Sequence, residues 1–353
     1  MAATAPVGLH DDYIALSEGC ALVDRSERGK LTLTGPDAAG FLNGQLTNDI
    51  TALTPTSGCY AAFLTHKGKM LGDVRVLALD GPEPELAAVL GAALGSAVCE
   101  EPQPATEPAP LLLDCERVAL QALFDTIRRF KVGYAVELHK RTVQRSLLSL
   151  LGPGSRAVLE GAREGQGPEL PTGEHANAKA RVAGTDVLLV ATDTGWDLLC
   201  DAATRDAIAA ALTEAGARPV SEAAAEVVRV ERGRPRYGIE MDDSTIPQEA
   251  GINERAVSFQ KGCYVGQETV ARLFYRGKPN RHLRGLRLSG PAAHDDVLRM
   301  GEREVGRVAS SVESPRLGFL ALALIRREAS PGDTLAVGDE GVQAQVCTLP
   351  FDA

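Results

Sequence analysis

The octapeptide Lys261 to Glu268, KGCYVGQE, sets a thiol between two glycines, a lysine and an amide–acid pair. Gly262 and Gly266 lack a Cβ, so the backbone there can turn sharply or approach a ligand closely. Lys261 stands two residues from Cys263, where its charge would favour the thiolate. Gln267 and Glu268 add amide donors and oxygen acceptors. Two chemistries fit: a reactive or redox-active thiol, or a ligand cradle of backbone and polar side chains. A Gly-rich turn around an inert, buried cysteine fits as well. Covalent hydrolysis fits poorly, because a nucleophilic thiol wants a base and no histidine lies within ten residues of Cys263.

Other residues could bind rather than react. Arg229 sits in a predicted helix over 222–232, beside Val227, Val228 and Val230. A guanidinium among such neighbours needs a ligand or an internal carboxylate. Asp197 follows Trp196 on a predicted strand at 196–200. It reads either as an exposed strand carboxylate or as an acceptor of paired N–H donors. From Thr269 to His294 there are six cations, Arg272, Arg276, Lys278, Arg281, Arg284 and Arg287, and no acid. That stretch would attract an anionic ligand or an acidic partner, or serve as a solvated linker.

The seven cysteines and six histidines form no CxxC pair and no zinc spacing, so no metal site is expected. No GxGxxG follows a strand and no P-loop is present. The net charge of −10 argues against broad nucleic-acid or membrane-surface binding, and 4% aromatics leave little for base stacking. No apolar run is long enough to span a bilayer and no secretory signal opens the chain, so a cytoplasmic location is expected.

The elements that must position these residues follow from patterning. Leu31 to Thr34 is a predicted strand, and Gly35-Pro36-Asp37 opens a helix through Phe41 and Leu42. Strands are predicted at 59–65 and 73–79, joined through His66-Lys67-Gly68-Lys69. Residues 80–110 read as a proline-rich surface loop with a short helix at 86–94. Asp114 reads as the N-cap of an amphipathic helix over 115–130, followed by a strand at 132–138. Further strands are predicted at 156–160, 181–183, 186–192 and 196–200, then an alanine-rich helix at 201–215. Ser221 caps the helix that carries Arg229, and Gly233 ends it. Five short strands after residue 280, at 283–288, 304–310, 318–325, 334–337 and 342–347, predict a small β-barrel. The fold class is therefore α+β, with an α+β region over 1–280 in two interleaved subdomains and a β-barrel over 281–353.

KGCYVGQE, preceded by Ser258-Phe259 and followed by Val270-Ala271-Arg272, resembles the signature of the YgfZ-type folate-binding proteins. These are bacterial relatives of the glycine-cleavage T-protein, linked to iron–sulfur enzyme maintenance. The run from Gly35-Pro36-Asp37-Ala38 to Asn48-Asp49 is similar to the opening motif of the T-protein superfamily. Val228 to Gly233, Tyr237-Gly238 and Pro247-Gln248-Glu249 are similar to its central motif, and Gly306 to Ser310 with Leu322 to Ile325 resemble its C-terminal barrel.

The resemblance implies a multidomain, folate-binding fold arranged around a central channel. It implies tetrahydrofolate or a one-carbon derivative as cofactor, with Arg229, Asp197, Tyr237, Lys261, Gly262, Gln267 and Glu268 as binding residues. Asp73 and Cys263 become the catalytic candidates, with the thiol facing the channel. T-proteins carry consecutive acids in the segment matching Leu71-Gly72-Asp73-Val74; here only Asp73 is acidic. The expected function is support of iron–sulfur cluster assembly or repair in client enzymes, including tRNA-modifying enzymes. The alternative is a folate-dependent aminomethyl or methyl transferase. Expected partners are folate and iron–sulfur client enzymes, without membrane or nucleic acid.

Overall fold

Two antiparallel-type sheets stacked face to face and a closed barrel make up the computed structural model, which describes residues 9–81, 108–165 and 169–351. The first sheet holds β2 (Gly29–Thr34), β3 (Gly58–Leu64), β4 (Met70–Ala78), β5 (Leu111–Cys115) and β6 (Glu137–Lys140), in the order β3-β4-β5-β2-β6. Alternate residues of these strands, such as Leu31, Leu33, Val74 and Val76, pack under helices α2 (Ala38–Gln45) and α3 (Leu120–Phe130) through Phe41, Leu42, Leu123 and Ile127. This is the two-residue period of a half-covered sheet meeting the helical period of its cover.

The second sheet runs β11-β1-β7-β10-β9-β8, from β1 (Ala21–Asp24), β7 (Arg145–Leu151), β8 (Asn177–Val182), β9 (Thr185–Ala191), β10 (Gly195–Asp201) and β11 (Arg218–Pro219). All its pairs are antiparallel except β1 with β11. Helices α4 (Ser155–Ala162) and α5 (Arg205–Glu214) cover one face through Val158, Leu159, Ile208 and Leu212. The chain starts this sheet at β1, leaves to build the first sheet, and returns at β7. Leu77, Leu79 and Leu112 of the first sheet meet Leu147, Val190 and Leu199 of the second in a shared apolar layer.

Strands β12 (Arg281–Leu288), β13 (Val297–Met300), β14 (Arg303–Arg307), β16 (Gly318–Arg326), β17 (Thr334–Val337) and β18 (Val342–Cys347) close into a barrel, because β12 pairs with both β18 and β16. β15 (Ser310–Ser314) adds to β16. Helix α6 (Glu222–Glu231) is the strut between the parts. Ala224 and Ala225 pack on α1 (Leu9–Glu18) and β1, while Val230 packs on Leu283, Leu320, Leu322 and Phe351 of the barrel region. The short α7 (Asn253–Ala256) and α8 (Gln267–Arg276) follow before the barrel.

The expected α+β fold with a C-terminal barrel is the observed one. Several local expectations are corrected. Asp114 is not an N-cap: it lies in β5, fully buried, and α3 begins at Leu120. The stretch expected as a strand at 156–160 is helix α4, whose buried Ser155, Val158 and Leu159 follow a helical spacing. β6 starts at Glu137, after a turn that leaves Val132 and Tyr134 exposed. The strands β1, β5, β7, β11, β13 and β15 and the helices α1, α7 and α8 have no sequence-based counterpart. The helix expected at 86–94 lies outside the described residues.

Candidate functional site

Strand β4 alternates between core and cavity. Gly72 faces α3, and a Cβ there would stand 2.9 Å from the Ala119 Cβ and 3.2 Å from a Leu123 methyl. A side chain at 72 therefore has no room. Asp73 points the other way and lines a cavity of about 1470 Å³. That volume exceeds the roughly 300–1,000 Å³ of an ordinary small-molecule pocket. Its wall is shared by α1 (Tyr13), the second sheet (Trp196), α6 (Val228), the residue after β5 (Glu116) and the barrel's ends (Arg316, Phe351). The cavity thus sits where the two sheets and the barrel converge.

The Tyr60 hydroxyl donates to Asp73 Oδ2 at 2.6 Å, while Oδ1 is buried and has no protein partner. Burial pushes the Asp73 carboxyl above the usual carboxylate range, against the Tyr60 hydrogen bond. Burial and the neighbouring Asp73 charge hold the Tyr60 phenol protonated. One oxygen is held and the other is left without a partner, which is the arrangement of a carboxylate able to accept an N–H or O–H from a bound molecule. An orphaned buried oxygen in the wall of so large a cavity fits an amphipathic ligand of the folate type.

Behind Asp73 the charges are closed on themselves. Asp114 accepts from Arg28 at 2.9 and 3.0 Å and from Arg75 at 2.7 Å. Burial alone would raise its carboxyl, but the two guanidinium groups outweigh that and hold it well below the usual range. Asp197 accepts from Arg75 at 2.5 Å and from Ser149 Oγ at 2.6 Å. Asp197 is 4% exposed and does not line the cavity, so it is neither an exposed strand carboxylate nor open to a ligand. Its two oxygens are occupied by protein.

Arg229 touches the cavity, but its donors are spent. They reach Glu226 at 2.8 and 2.5 Å, Glu240 at 2.9 and 3.1 Å, Ser310 Oγ at 2.6 Å and the Arg234 carbonyl. These partners raise its pKa although burial opposes them. The internal ion pair, not a ligand contact, is what the geometry shows. The reason is local: Glu226 lies one turn away on the same helix, and the Glu240 loop and β15 close over it.

The signature octapeptide lies elsewhere. Lys261 Nζ donates to the carbonyls of Asn43 and Leu46, at the C-terminal end of α2, where a cation is favoured. Burial lowers this ammonium to about 8, against the attraction of Asp49. The head group is therefore turned to α2 carbonyls. Tyr264 is buried beside Leu64, Met70 and Val270. Gly266 has φ +86°, and a Cβ there would meet the Thr65 carbonyl at 2.6 Å. Gly262 has no positive φ and open space around it, so the turn needs one of the two glycines. Gln267 and Glu268 open α8.

Cys263 is exposed and does not line the cavity, and the same holds for the other members of the octapeptide and for half-buried Tyr237 in their absence from its wall. The expectation of a thiol facing the cavity is corrected on that ground. His66 is likewise exposed and outside the cavity wall. Two residues were missed by sequence reasoning. Tyr60 holds Asp73, and strand alternation on β3 was the available signal. His175 is 7% exposed with neither ring nitrogen hydrogen-bonded, Nε2 standing 3.7 Å from Glu174, and burial, with Arg75 nearby, lowers it to about 4. No motif marks it. Among the described residues, no group of His, Cys, Asp or Glu could hold a metal ion.

Comparison with known proteins agrees with this architecture. Residues 5–93 and 112–261 match the GCVT N-terminal domain, and residues 281–352 match the glycine cleavage T-protein C-terminal barrel domain. The chain belongs to the glycine-cleavage T-protein family, whose aminomethyltransferase-like members share both domains. It is 30% identical to an aminomethyltransferase of Streptomyces avermitilis, covering 97% of this chain and 88% of that protein. It is 28% identical to an aminomethyltransferase of Rubrobacter xylanophilus, covering 98% and 86%. A chloroplastic protein of Arabidopsis thaliana, named only as a candidate transferase, is 25% identical over 96% of this chain and 72% of its own. The crystal structure of the glycine cleavage system aminomethyltransferase T from Bartonella henselae superposes with TM-score 0.82 at 20% identity, covering 99% and 91%.

Proposed function

We propose that the chain holds tetrahydrofolate or a one-carbon derivative in the cavity and acts as an accessory protein of the YgfZ type. In that role it supports assembly or repair of iron–sulfur clusters in client enzymes, including tRNA-modifying enzymes, in the cytoplasm. The observation that carries ligand binding is the unpartnered Oδ1 of Asp73 in the cavity wall. The accessory role is supported by the placement of Cys263, displayed outward rather than toward the ligand. Bound folate supplies a nitrogen nucleophile and carrier for one-carbon units. Asp73, held by Tyr60, orients such a nitrogen by accepting a hydrogen bond from its N–H. Among the described residues no helix is long and apolar enough to cross a membrane.

A second reading, folate-dependent aminomethyl transfer, is favoured by the same Asp73 oxygen and by the names of the relatives. Purified protein, tetrahydrofolate and an aminomethyl donor separate the two: formation of methylene-tetrahydrofolate establishes transfer, and binding without turnover establishes the accessory role. Calorimetry with tetrahydrofolate tests the site itself. Asp73→Asn should weaken binding about tenfold, the worth of one charge-assisted hydrogen bond. Unchanged affinity would move the ligand away from Asp73.

A further inference from the structure

Helix α8 buries only Val270 of its ten residues. Phe274 and Tyr275 are 47% and 67% exposed. Phe259 stacks on Phe274 with ring centroids 3.9 Å apart, and Tyr275 stands edge-on to Phe274 at 5.1 Å. In a chain with 4% aromatics, three of them gather on one outer surface. Arg272, one turn before Tyr275, and Arg276 and Lys278, just after it, are exposed and form no ion pair among the described residues. The hairpin tip around Gly68 packs against Thr269 and Gly266 and brings exposed Lys67 to the N-terminal end of the helix. Exposed Cys263 lies in the loop that joins Phe259 to α8.

A helix that leaves aromatic rings exposed beside unpaired cations is built to be covered. We propose that this face docks an acidic surface of another protein. The Phe259–Phe274–Tyr275 cluster fills an apolar hollow, the cations pair with carboxylates around it, and Cys263 is left at the edge facing the partner. Aromatic anchors ringed by arginines are the usual composition of such interfaces. A net charge of −10 on the whole chain makes this local positive face the place where an acidic partner is attracted rather than repelled. A single nucleic-acid strand fits less well, since stacking needs open ring faces and Phe259 and Phe274 cover each other.

The orientation of the thiol toward a client rests on the accessory reading; the docking surface itself is tested without folate. The full chain with Tyr275→p-benzoylphenylalanine is photo-crosslinked in cells and the crosslinked peptide is sequenced. The purified partner is then titrated against wild-type protein and Arg272→Glu/Arg276→Glu. The expected result is a crosslink to a protein segment rich in Asp and Glu. Affinity should fall at least about tenfold in the double variant and weaken with salt. Lysine substitutions at those partner acids should restore it, and alkylation of Cys263 by iodoacetamide should slow in the complex. A crosslink to RNA, to a second copy of this chain or to a surface without acids, no crosslink at all, or an unchanged affinity would overturn the proposal. Tetrahydrofolate calorimetry on the double variant should match wild type. Docking without folate binding in the wild type would sink the folate reading alone.

Discussion

The cavity region and the signature region handle the same residue types in opposite ways. Around the cavity, arginines and carboxylates are closed on one another: Arg28, Arg75 and Arg229 spend their donors on Asp114, Asp197, Glu226 and Glu240. Among the described residues that line the cavity, the buried side-chain atom left without a partner is Asp73 Oδ1. On α8 and just after it, by contrast, Arg272, Arg276 and Lys278 face solvent beside exposed aromatics with no ion pair among the described residues. A saturated buried charge is a structural part, because removing one partner strands the other. An unpaired exposed charge carries little of the fold and is free to meet something else. The candidate ligand group inside is therefore the exception to saturation, and the candidate partner surface outside is the place where saturation was never built.

The comparison breaks first at Arg229 if it is wrong. Arg229→Ala leaves the buried Glu240 without its cation and Glu226 with Arg236 alone at 3.5 Å, and should destabilise by about 3–5 kcal/mol. A urea melt of the variant checks this. A native midpoint together with weakened tetrahydrofolate binding would return Arg229 to the ligand. Asp114→Asn should cost slightly less, about 3 kcal/mol, since Arg28 keeps Glu116 and Arg75 keeps Asp197. It also sets a pH signature. The folded carboxyl lies below its unfolded value of roughly 3.9. Its stabilisation is thus present above that pH and is lost as pH falls through the folded pKa. The gap between wild type and Asp114→Asn should narrow only in strong acid.

Large, patterned units were legible in the sequence; the closing of charges across them was not. The barrel strands and the helix carrying Arg229 announced themselves through periodicity and punctuation. Asp114 shows where that fails. Standing before an amphipathic helix, it has the look of a cap, yet it is the last core residue but one of β5, paired with arginines 86 and 39 residues away. Its partners are set by strand order β4-β5-β2, which no local pattern encodes. Arg229 fails for the same reason, since Ser310 reaches it only once the barrel docks and Glu240 only once the segment after α6 folds back. For α8, the turns after the Gly-rich motif carry a helix without a buried stripe, the feature on which helix prediction depends.

Asp73 sharpens the contrast at smaller scale. Its folded pKa is raised by burial, so ionising it costs stability as pH climbs above the unfolded value. Asp73→Asn removes that cost and should stabilise the unliganded protein by about 1 kcal/mol near neutral pH while weakening the ligand. Thermal melts from acid to neutral pH should show the two proteins separating as pH rises.

The signature holds its own internal comparison. Gly266→Ala puts a Cβ at φ +86° against the Thr65 carbonyl and should cost about 1–3 kcal/mol. Gly262→Ala meets nothing and should change stability by less than about 0.5 kcal/mol. Equal melts for the two would mean that the loop rearranges freely.

Cys263→Ala is the mildest change for the fold and the most telling for function. An exposed thiol outside the core contributes almost nothing to packing, so the melt should match wild type within about 0.5 kcal/mol. Tetrahydrofolate affinity should also be unchanged, because the sulfur does not line the cavity. If the thiol faces a client, the variant should fail to restore iron–sulfur enzyme activity in a deletion strain despite an intact fold and an intact ligand site. Full restoration would leave the signature as a structural turn, in which Gly266, Tyr264 and Lys261 have defined tasks and the cysteine between them has none.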